Sequence, residues 1–147
     1  MHLELDGRTG LVTGASVGIG RATARILAGE GVRLAITGRR REKLEELKAE
    51  IVAANGPPPA IIVHDAMDDG YPRAVAQLAL DALGSVEILV NNAGGSRPFK
   101  MDASEEQWNE ALTLNFTRHR QLTHALLRSD GRERLGAHCQ HHGQVGA

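Results

Sequence analysis

The chain has 147 residues, a net charge of −1 and 41% hydrophobic residues, values that predict one globular domain. This charge gives no electrostatic basis for binding nucleic acid or an anionic membrane surface. No apolar run is long enough to span a bilayer, the first residues carry no signal-peptide pattern, and Cys139 is the single cysteine, which excludes an internal disulfide. We therefore expect a cytoplasmic protein without nucleic-acid or membrane partners.

Short apolar segments alternate with amphipathic segments along the chain. The predicted strands are 8–13, 32–37, 60–63 and 86–90, and the predicted helices are 18–28, 40–54, 72–84 and 104–127. This alternation implies right-handed crossovers, so it predicts an α/β fold of the Rossmann type. We expect a doubly wound parallel sheet of about four strands in the order 3-2-1-4.

The spacing of apolar residues predicts which helix faces are buried. The expected buried positions are Ile19, Ala22 and Ile26 in the first helix, Leu44, Leu47 and Ile51 in the second, and Val75, Leu78, Ala79 and Ala82 in the third. In the first helix, Ala24 and Arg25 are expected to turn away from the buried face. Ser104 and Gln107 have the spacing of a capping box, which predicts the start of the fourth helix.

A glycine-rich turn follows the first strand. Gly14, Gly18 and Gly20 stand at the spacing Gly-x-x-x-Gly-x-Gly, between a strand and a helix. Glycine lets the chain leave the strand sharply and lets backbone amides approach a ligand. The amides at the start of the next helix attract a pyrophosphate. A tight strand-to-helix turn without a ligand is the alternative interpretation.

A second turn, residues 91–95, follows the fourth strand. In a doubly wound sheet, both turns lie at the switch point where ligands bind. Together with Asp65 and Asn115, these two turns resemble the classical short-chain dehydrogenase/reductase family, over residues 8 to about 127. The resemblance implies hydride transfer between a nicotinamide dinucleotide and a small-molecule carbonyl or alcohol. It also implies a homo-oligomer, which is doubtful for this chain because it lacks the family's dimer-forming helix.

The resemblance also assigns roles to individual residues. The residues that would bind the cofactor are Gly14, Ser16, Gly18, Ile19 and Gly20 around its phosphates and ribose, Asp65 and Ala66 against its adenine, and Asn91, Ala93 and Gly94 at the strand end beside the ribose. Asn115 would be the asparagine of the catalytic tetrad, and it falls on the helix face of Trp108 and Leu112. The alternatives are a turn residue for Asn91 and a partly exposed helix residue for Asn115.

The end of the second strand favours NADP(H) over NAD(H). An enzyme specific for NAD usually places an acidic residue there, whereas this chain has Thr37-Gly38-Arg39-Arg40. The guanidinium groups of Arg39 and Arg40 can bind a 2′-phosphate through a planar set of donors. The alternative is that Arg40 and Arg41 only begin an exposed helix. Val17 also departs from the NADP-using pattern, in which that position is often basic.

The catalytic serine, tyrosine and lysine of the family pattern have no counterparts in this sequence. The only tyrosine is Tyr71, the residue four positions later is Val75, and no lysine follows Lys100. We therefore expect an oxidoreductase of this family that is truncated and inactive as the chain stands. The alternatives are a non-catalytic nucleotide-binding or interaction module, or a nonfunctional truncated product.

Residues 128–147 show no strand periodicity, and we assign them to a tail after a partial domain of residues 1–127. His138, Cys139, His141 and His142 lack the spacing of a zinc site, so we expect no metal. When residues 129–147 are reverse-translated and read one base later, one consistent choice of permitted codons gives a hydrophobic strand ending in a serine-bearing turn. We interpret the tail as the product of a frameshift near Leu127 or Arg128, with no fifth strand and an exposed fourth strand.

Overall fold

The computed structural model describes residues 4–95 and 102–129, and the backbone of residues 138–140. Its elements in chain order are β1 (Thr9–Val12), α1 (Gly18–Gly29), β2 (Arg33–Gly38), α2 (Arg41–Ala53), β3 (Ala60–Val63), α3 (Tyr71–Leu83), β4 (Ile88–Asn91), α4 (Glu105–Leu112), a π-helical segment (Thr113–Thr117), α5 (Arg118–Ser129) and β5 (His138–Gln140). The strand pairs are all parallel, in the order β3-β2-β1-β4-β5. The predicted α/β class and the order of the first four strands are confirmed.

Two buried clusters cover the two faces of the sheet. Alternate residues of a strand point to opposite faces, so Leu11 belongs to the cluster beneath α3 and α5, and Val12 to the cluster beneath α1 and α2. Leu44, Leu47 and Ile51 are buried as expected. In α3, Val75 and Ala79 are buried, but Leu78 and Ala82 are exposed. Helices on both faces define the doubly wound arrangement.

The predicted buried face of α1 is wrong. Ile19 and Ile26 are 54% and 64% exposed, whereas Ala24 and Ala28 are buried together with Gly20. The buried residues are spaced four apart and are all small, because this helix lies so close to the β1 turn that a side chain at Gly20 would overlap the Gly14 carbonyl. Close approach of the helix to the sheet, and not apolar size, selects this face.

The sequence predicts one continuous fourth helix, but the structure shows an interrupted one. The capping box of Ser104 and Gln107 is confirmed at its start, but a π-helical segment separates α4 from α5. In an uninterrupted α-helix, Trp108 and Leu126 would share a face, because eighteen residues make five turns. Instead Trp108 is 54% exposed and Leu126 is buried. The extra residue of the π turn therefore directs α5 into the core, and the single face expected for Trp108, Leu112 and Asn115 is interrupted.

The expectation of an exposed fourth strand is also wrong. β5 pairs with β4 in parallel, with His138 opposite Leu89 and Gln140 opposite Asn91. An unpaired strand edge offers a row of free N–H and C=O groups, and backbone pairing of three residues requires no particular side-chain alternation. This is the reason that a segment without strand periodicity can still form β5.

Candidate functional site

The turns after β1 and β4 are joined through the side chain of Thr13. Its hydroxyl donates to the carbonyl oxygen of Val90 at 3.2 Å. The hydroxyl oxygen of Thr13 also accepts from the backbone N–H groups of Asn92 and Ala93, each at 2.9 Å. The Thr13 side chain is fully buried, so these bonds are shielded from water. A single hydroxyl thus sets the positions of both turns at the carboxyl edge of the sheet.

Asn92 adds a second set of bonds between the same turns. Its side-chain amide donates to the carbonyl oxygens of Thr13 and Gly14, at 3.2 and 3.1 Å. Gly14 has a φ of +65°, and a Cβ there would lie 2.8 Å from the Cα of Ala93. Only glycine fits this position, because both the backbone conformation and the contact exclude a side chain.

A cleft of about 330 Å³ opens at this edge of the sheet. Its lining residues are Gly14, Ser16, Val17, Thr37, Gly38, Arg39, Arg40, His64, Asp65, Ala66, Met67, Tyr71, Ala93, Gly94, Gly95 and Leu114. The cleft therefore contains residues from both turns, from the end of β2 and from the loop after β3. A cleft at the carboxyl ends of parallel strands is the usual ligand site of a doubly wound sheet.

Most of the residues predicted to bind a cofactor meet in this cleft. The predicted residues that line it are Gly14, Ser16, Arg39, Arg40, Asp65, Ala66, Ala93 and Gly94. Gly18, Ile19 and Gly20 lie beside it, in the first turn of α1. Val17 precedes this helix without a side-chain cap, so its first backbone N–H groups have no side-chain acceptor there. An anion placed in the glycine-rich turn would meet these donors.

The two predicted asparagines are not among the lining residues. Asn91 is completely buried, and its side-chain amide donates to the Thr123 hydroxyl at 3.1 Å, which joins β4 to α5. Asn115 lies in the π-helical segment. Its amide donates to the carbonyl oxygens of Gly95 and Ala111, and its oxygen accepts from the N–H of Gly95 at 3.0 Å. The Asn91 side chain therefore joins β4 to α5, and the Asn115 side chain joins the π-helical segment to the turn after β4.

An arginine on α1 supports the glycine-rich turn from outside. Arg21 donates to the carbonyl oxygens of Ser16 and Lys43, at 3.3 and 3.0 Å, and forms an ion pair of 2.8 Å with Glu50. The hydrogen bond from Arg21 is the main reason that the pKa of Glu50 lies below its ordinary value. Arg21 thereby links the turn to α2, and Arg39 and Arg40 lie just before this helix.

Tyr71 forms part of the lining beside His64. The two rings are 5.6 Å apart at an interplanar angle of 74°, an edge-to-face contact. Burial raises the pKa of Tyr71 well above its ordinary range. The hydroxyl therefore keeps its proton at neutral pH, and Tyr71 is unsuited to act as a general base.

Several residues around the cleft were not singled out from the sequence. Thr13 directly precedes the glycine-rich turn and Asn92 lies in the second turn, but their bonds to the opposite turn depend on the pairing of β1 with β4. His64, Met67 and Leu114 line the cleft without belonging to any motif. The only available signal was position, because His64 directly follows β3.

The described residues contain neither a metal-binding group of three or more suitable side chains nor a helix able to cross a membrane. The side chains of His138 and Cys139 lie outside this description, as do His141 and His142 entirely. The predictions about metal therefore concern residues that the structure does not cover.

Together, the parallel sheet, the glycine-rich turn and the cleft define a Rossmann-type dinucleotide-binding fold. The family model described as short chain dehydrogenase matches residues 8–136. The chain belongs to the short-chain dehydrogenase family, whose members bind NAD or NADP.

Curated relatives of this chain include a reductase from Vibrio cholerae and a protein from Bos taurus. The 3-oxoacyl-(acyl-carrier-protein) reductase of Vibrio cholerae is 35% identical over 135 residues, which cover 91% of this chain and 54% of the relative. Dehydrogenase/reductase SDR family member 7B of Bos taurus is 36% identical over 132 residues, covering 86% of this chain and 41% of the relative. The chain thus spans about half the length of these relatives.

Solved structures of short-chain dehydrogenases also match this chain over about half of their length. A 7α-hydroxysteroid dehydrogenase complexed with NADH and 7-oxoglycochenodeoxycholic acid superimposes with a TM-score of 0.80 at 29% identity, covering 84% of this chain and 48% of that protein. A metagenomic short-chain oxidoreductase in complex with NADP has a TM-score of 0.76 at 34% identity, covering 84% and 57%. Both cofactors therefore occur among the structural relatives, so the comparison leaves the preference of this chain to its own residues.

Proposed function

We propose that this chain is the NADP(H)-binding part of a cytoplasmic oxidoreductase that interconverts a small-molecule carbonyl and an alcohol. The observation that carries the proposal is the cleft, in which the glycine-rich turn, Asp65 and the two arginines after β2 meet. The residues present fit a dinucleotide. The α1 amides would receive the pyrophosphate, Asp65 and Ala66 would border the adenine, and Ala93 and Gly94 the ribose.

Arg39 and Arg40 are proposed to select NADP(H). Both are exposed at the mouth of the cleft, where β2 supplies no acidic residue for a ribose 2′-hydroxyl. Their guanidinium groups would pair with the 2′-phosphate. Arg41, which is also exposed but does not line the cleft, offers a matched control and forms a surface ion pair with Glu45.

The test is a calorimetric titration of the purified chain with NADPH and, separately, with NADH. We expect NADPH to bind more tightly, and the double variant Arg39→Ala, Arg40→Ala to lose this preference. Arg41→Ala should retain it. Equal binding of both cofactors by the unmodified chain would contradict the proposed preference, and binding of neither would contradict the proposed function.

As the chain stands, we propose that it binds the cofactor without turnover. When bound, the nicotinamide supplies or accepts a hydride. Asn115 is the only residue assigned to the catalytic set, and in the structure its amide is bonded to Gly95 and Ala111. Tyr71 cannot replace the missing general base because burial keeps it protonated. We expect no oxidation of NADPH with simple aldehydes or ketones, and measurable turnover would contradict this proposal.

A second candidate function is a non-catalytic interaction module. Trp108, Leu112 and Phe116 are 54%, 55% and 53% exposed and follow each other at four-residue spacing. Such a row of large apolar side chains indicates a contact surface. Light scattering on the purified chain tests whether this surface joins copies of the chain. A defined oligomer that is lost in Leu112→Glu favours this candidate, whereas a monomer opposes it.

A further inference from the structure

The loop that borders the proposed adenine site is held by an arginine from a different part of the fold. Arg118 is the first residue of α5, and only 6% of its surface is exposed. Burying a guanidinium is costly unless its donors find acceptors. Arg118 meets this requirement with four hydrogen bonds, three of which go to residues 66–69 after β3.

The geometry of these bonds is specific. Nε donates to the carbonyl oxygen of Ala66 at 3.0 Å, and Nη2 donates to the carbonyl oxygen of Met67 at 3.1 Å. Nη2 also contacts the Asp69 carboxylate at 2.7 Å, and Nη1 donates to Gln121 at 3.0 Å. Two successive carbonyl groups of the loop are thus oriented toward α5.

Asp65 binds the same peptide units from their opposite ends. The peptide between Ala66 and Met67 accepts from Arg118 through its oxygen, while its N–H donates to the Asp65 carboxylate at 2.9 Å. The next peptide accepts from Arg118 through the Met67 oxygen, and its N–H donates to the Asp65 carbonyl at 3.1 Å. The orientation of the Asp65 side chain is therefore coupled to the position of Arg118.

We infer that Arg118 is a positioning residue for nucleotide binding, which acts by fixing Asp65 and Ala66 against the adenine. This inference rests on the proposed function, because it assumes that the cleft receives a nucleotide. Arg118 is not among the residues that line the cleft, so it would act on the nucleotide through the loop. Its effect should reach any adenine nucleotide equally, whereas the effect of Arg39 and Arg40 should depend on the 2′-phosphate.

The experiment uses two probes of the adenine side, 5′-AMP and 2′,5′-ADP, with calorimetry on the unmodified chain and on Arg118→Gln. We expect Arg118→Gln to weaken the binding of both probes by the same factor, about tenfold, since it loses hydrogen bonds from a charged donor. The exposed Arg120 on the same helix provides the control, and Arg120→Gln should bind both probes normally.

Three further measurements separate positioning from general stability. Arg118→Lys retains the charge but cannot reach both carbonyl oxygens, so it should fold and still bind weakly. In Arg118→Ala, added guanidinium ion at a non-denaturing concentration should restore part of the affinity. Hydrogen exchange of the amides of residues 65–69 should also accelerate in each variant.

The outcomes are distinct. If the unmodified chain binds the probes and Arg118→Gln and Arg118→Lys bind them equally well, the inference is overturned while the proposed function stands. A loss restricted to 2′,5′-ADP also overturns it, because that pattern belongs to recognition of the 2′-phosphate. If the unmodified chain binds neither probe, the proposed function fails and the inference fails with it.

Discussion

Asn92 and Gly14 are joined by a hydrogen bond of 3.1 Å from the side-chain amide of Asn92 to the carbonyl oxygen of Gly14. The two residues are 78 positions apart in the sequence and belong to different turns. Because a carboxylate at position 92 would face the oxygens of Thr13 and Gly14, we expect Asn92→Asp to lower the free energy of unfolding by about 1–3 kcal/mol. Urea denaturation measures this loss. The exposed Asn109→Asp is the control, and an equal effect of both variants would contradict the prediction.

Gly14 and Gly18 allow the cost of a left-handed backbone to be separated from the cost of a contact. Their φ angles are +65° and +60°, but a Cβ at Gly18 meets nothing within 4 Å, whereas one at Gly14 lies 2.8 Å from Ala93. We expect Gly18→Ala to cost about 1–2 kcal/mol of unfolding free energy from backbone strain alone. Gly14→Ala should cost clearly more. Equal costs, measured without nucleotide, would show that the contact is relieved by a small shift.

The ion pair of Arg8 and Glu87 predicts a pH dependence of stability. Arg8 donates to the Glu87 carboxylate at 2.7 Å, and this bond, followed by that from the N–H of Thr9, holds the pKa of Glu87 below its ordinary value. The folded state therefore binds fewer protons than the unfolded state, so the contribution is present at neutral pH and is lost as the pH falls through the lowered pKa.

We expect the unfolding free energy to decline on acidification below about 4.3, the ordinary pKa of a glutamate. Glu87→Gln should show a shallower decline, because residue 87 no longer titrates. Urea midpoints at a series of pH values provide the measurement. The Glu50 carboxyl, whose pKa is also lowered, is present in both proteins and cancels from the comparison. Parallel curves would indicate that Glu87 contributes nothing.

The frameshift interpretation stays a prediction that the coding DNA can test. We expect the frame one base later, read from codon 129, to encode a hydrophobic strand, a serine-bearing turn and then Tyr-x-x-x-Lys. Sequencing through codon 127 and beyond codon 147 in all three frames checks this. If no frame continues the fold, the sequence of residues 128–147 is genuine, and nucleotide binding without catalysis becomes the leading interpretation.

The fold class followed from the alternation of short apolar and amphipathic segments, a local property that survives without tertiary information. The buried face of α1 could not be predicted in this way. Ile26 has the more apolar side chain, but Ala24 has the size that fits against the sheet. β5 was equally inaccessible from the sequence, since backbone pairing to β4 leaves no signature in side-chain order. In each case the deciding contact lies on another element.

The candidate site shows the same division. Gly14, Asp65 and Ala93 belong to turn motifs that can be recognised in the sequence, and all three line the cleft. Arg118 stands in a helix among other charged residues, and its role depends on carbonyl groups that lie 51 and 52 positions away. No periodicity or spacing predicts such a pairing. Residues that hold a site from behind therefore need the structure to be found.

The π-helical segment, whose Leu114 lines the cleft, makes the nucleotide site sensitive to the number of residues in the chain. Removing one residue from Thr113–Thr117 would restore a regular α-helix and rotate α5 by about 100° relative to α4. Arg118 would then swing away from Ala66, and Leu122 would leave the core. A substitution in this segment keeps the rotation of α5 about its axis, whereas the deletion of one codon changes it. The nucleotide site therefore depends on the number of residues in this segment.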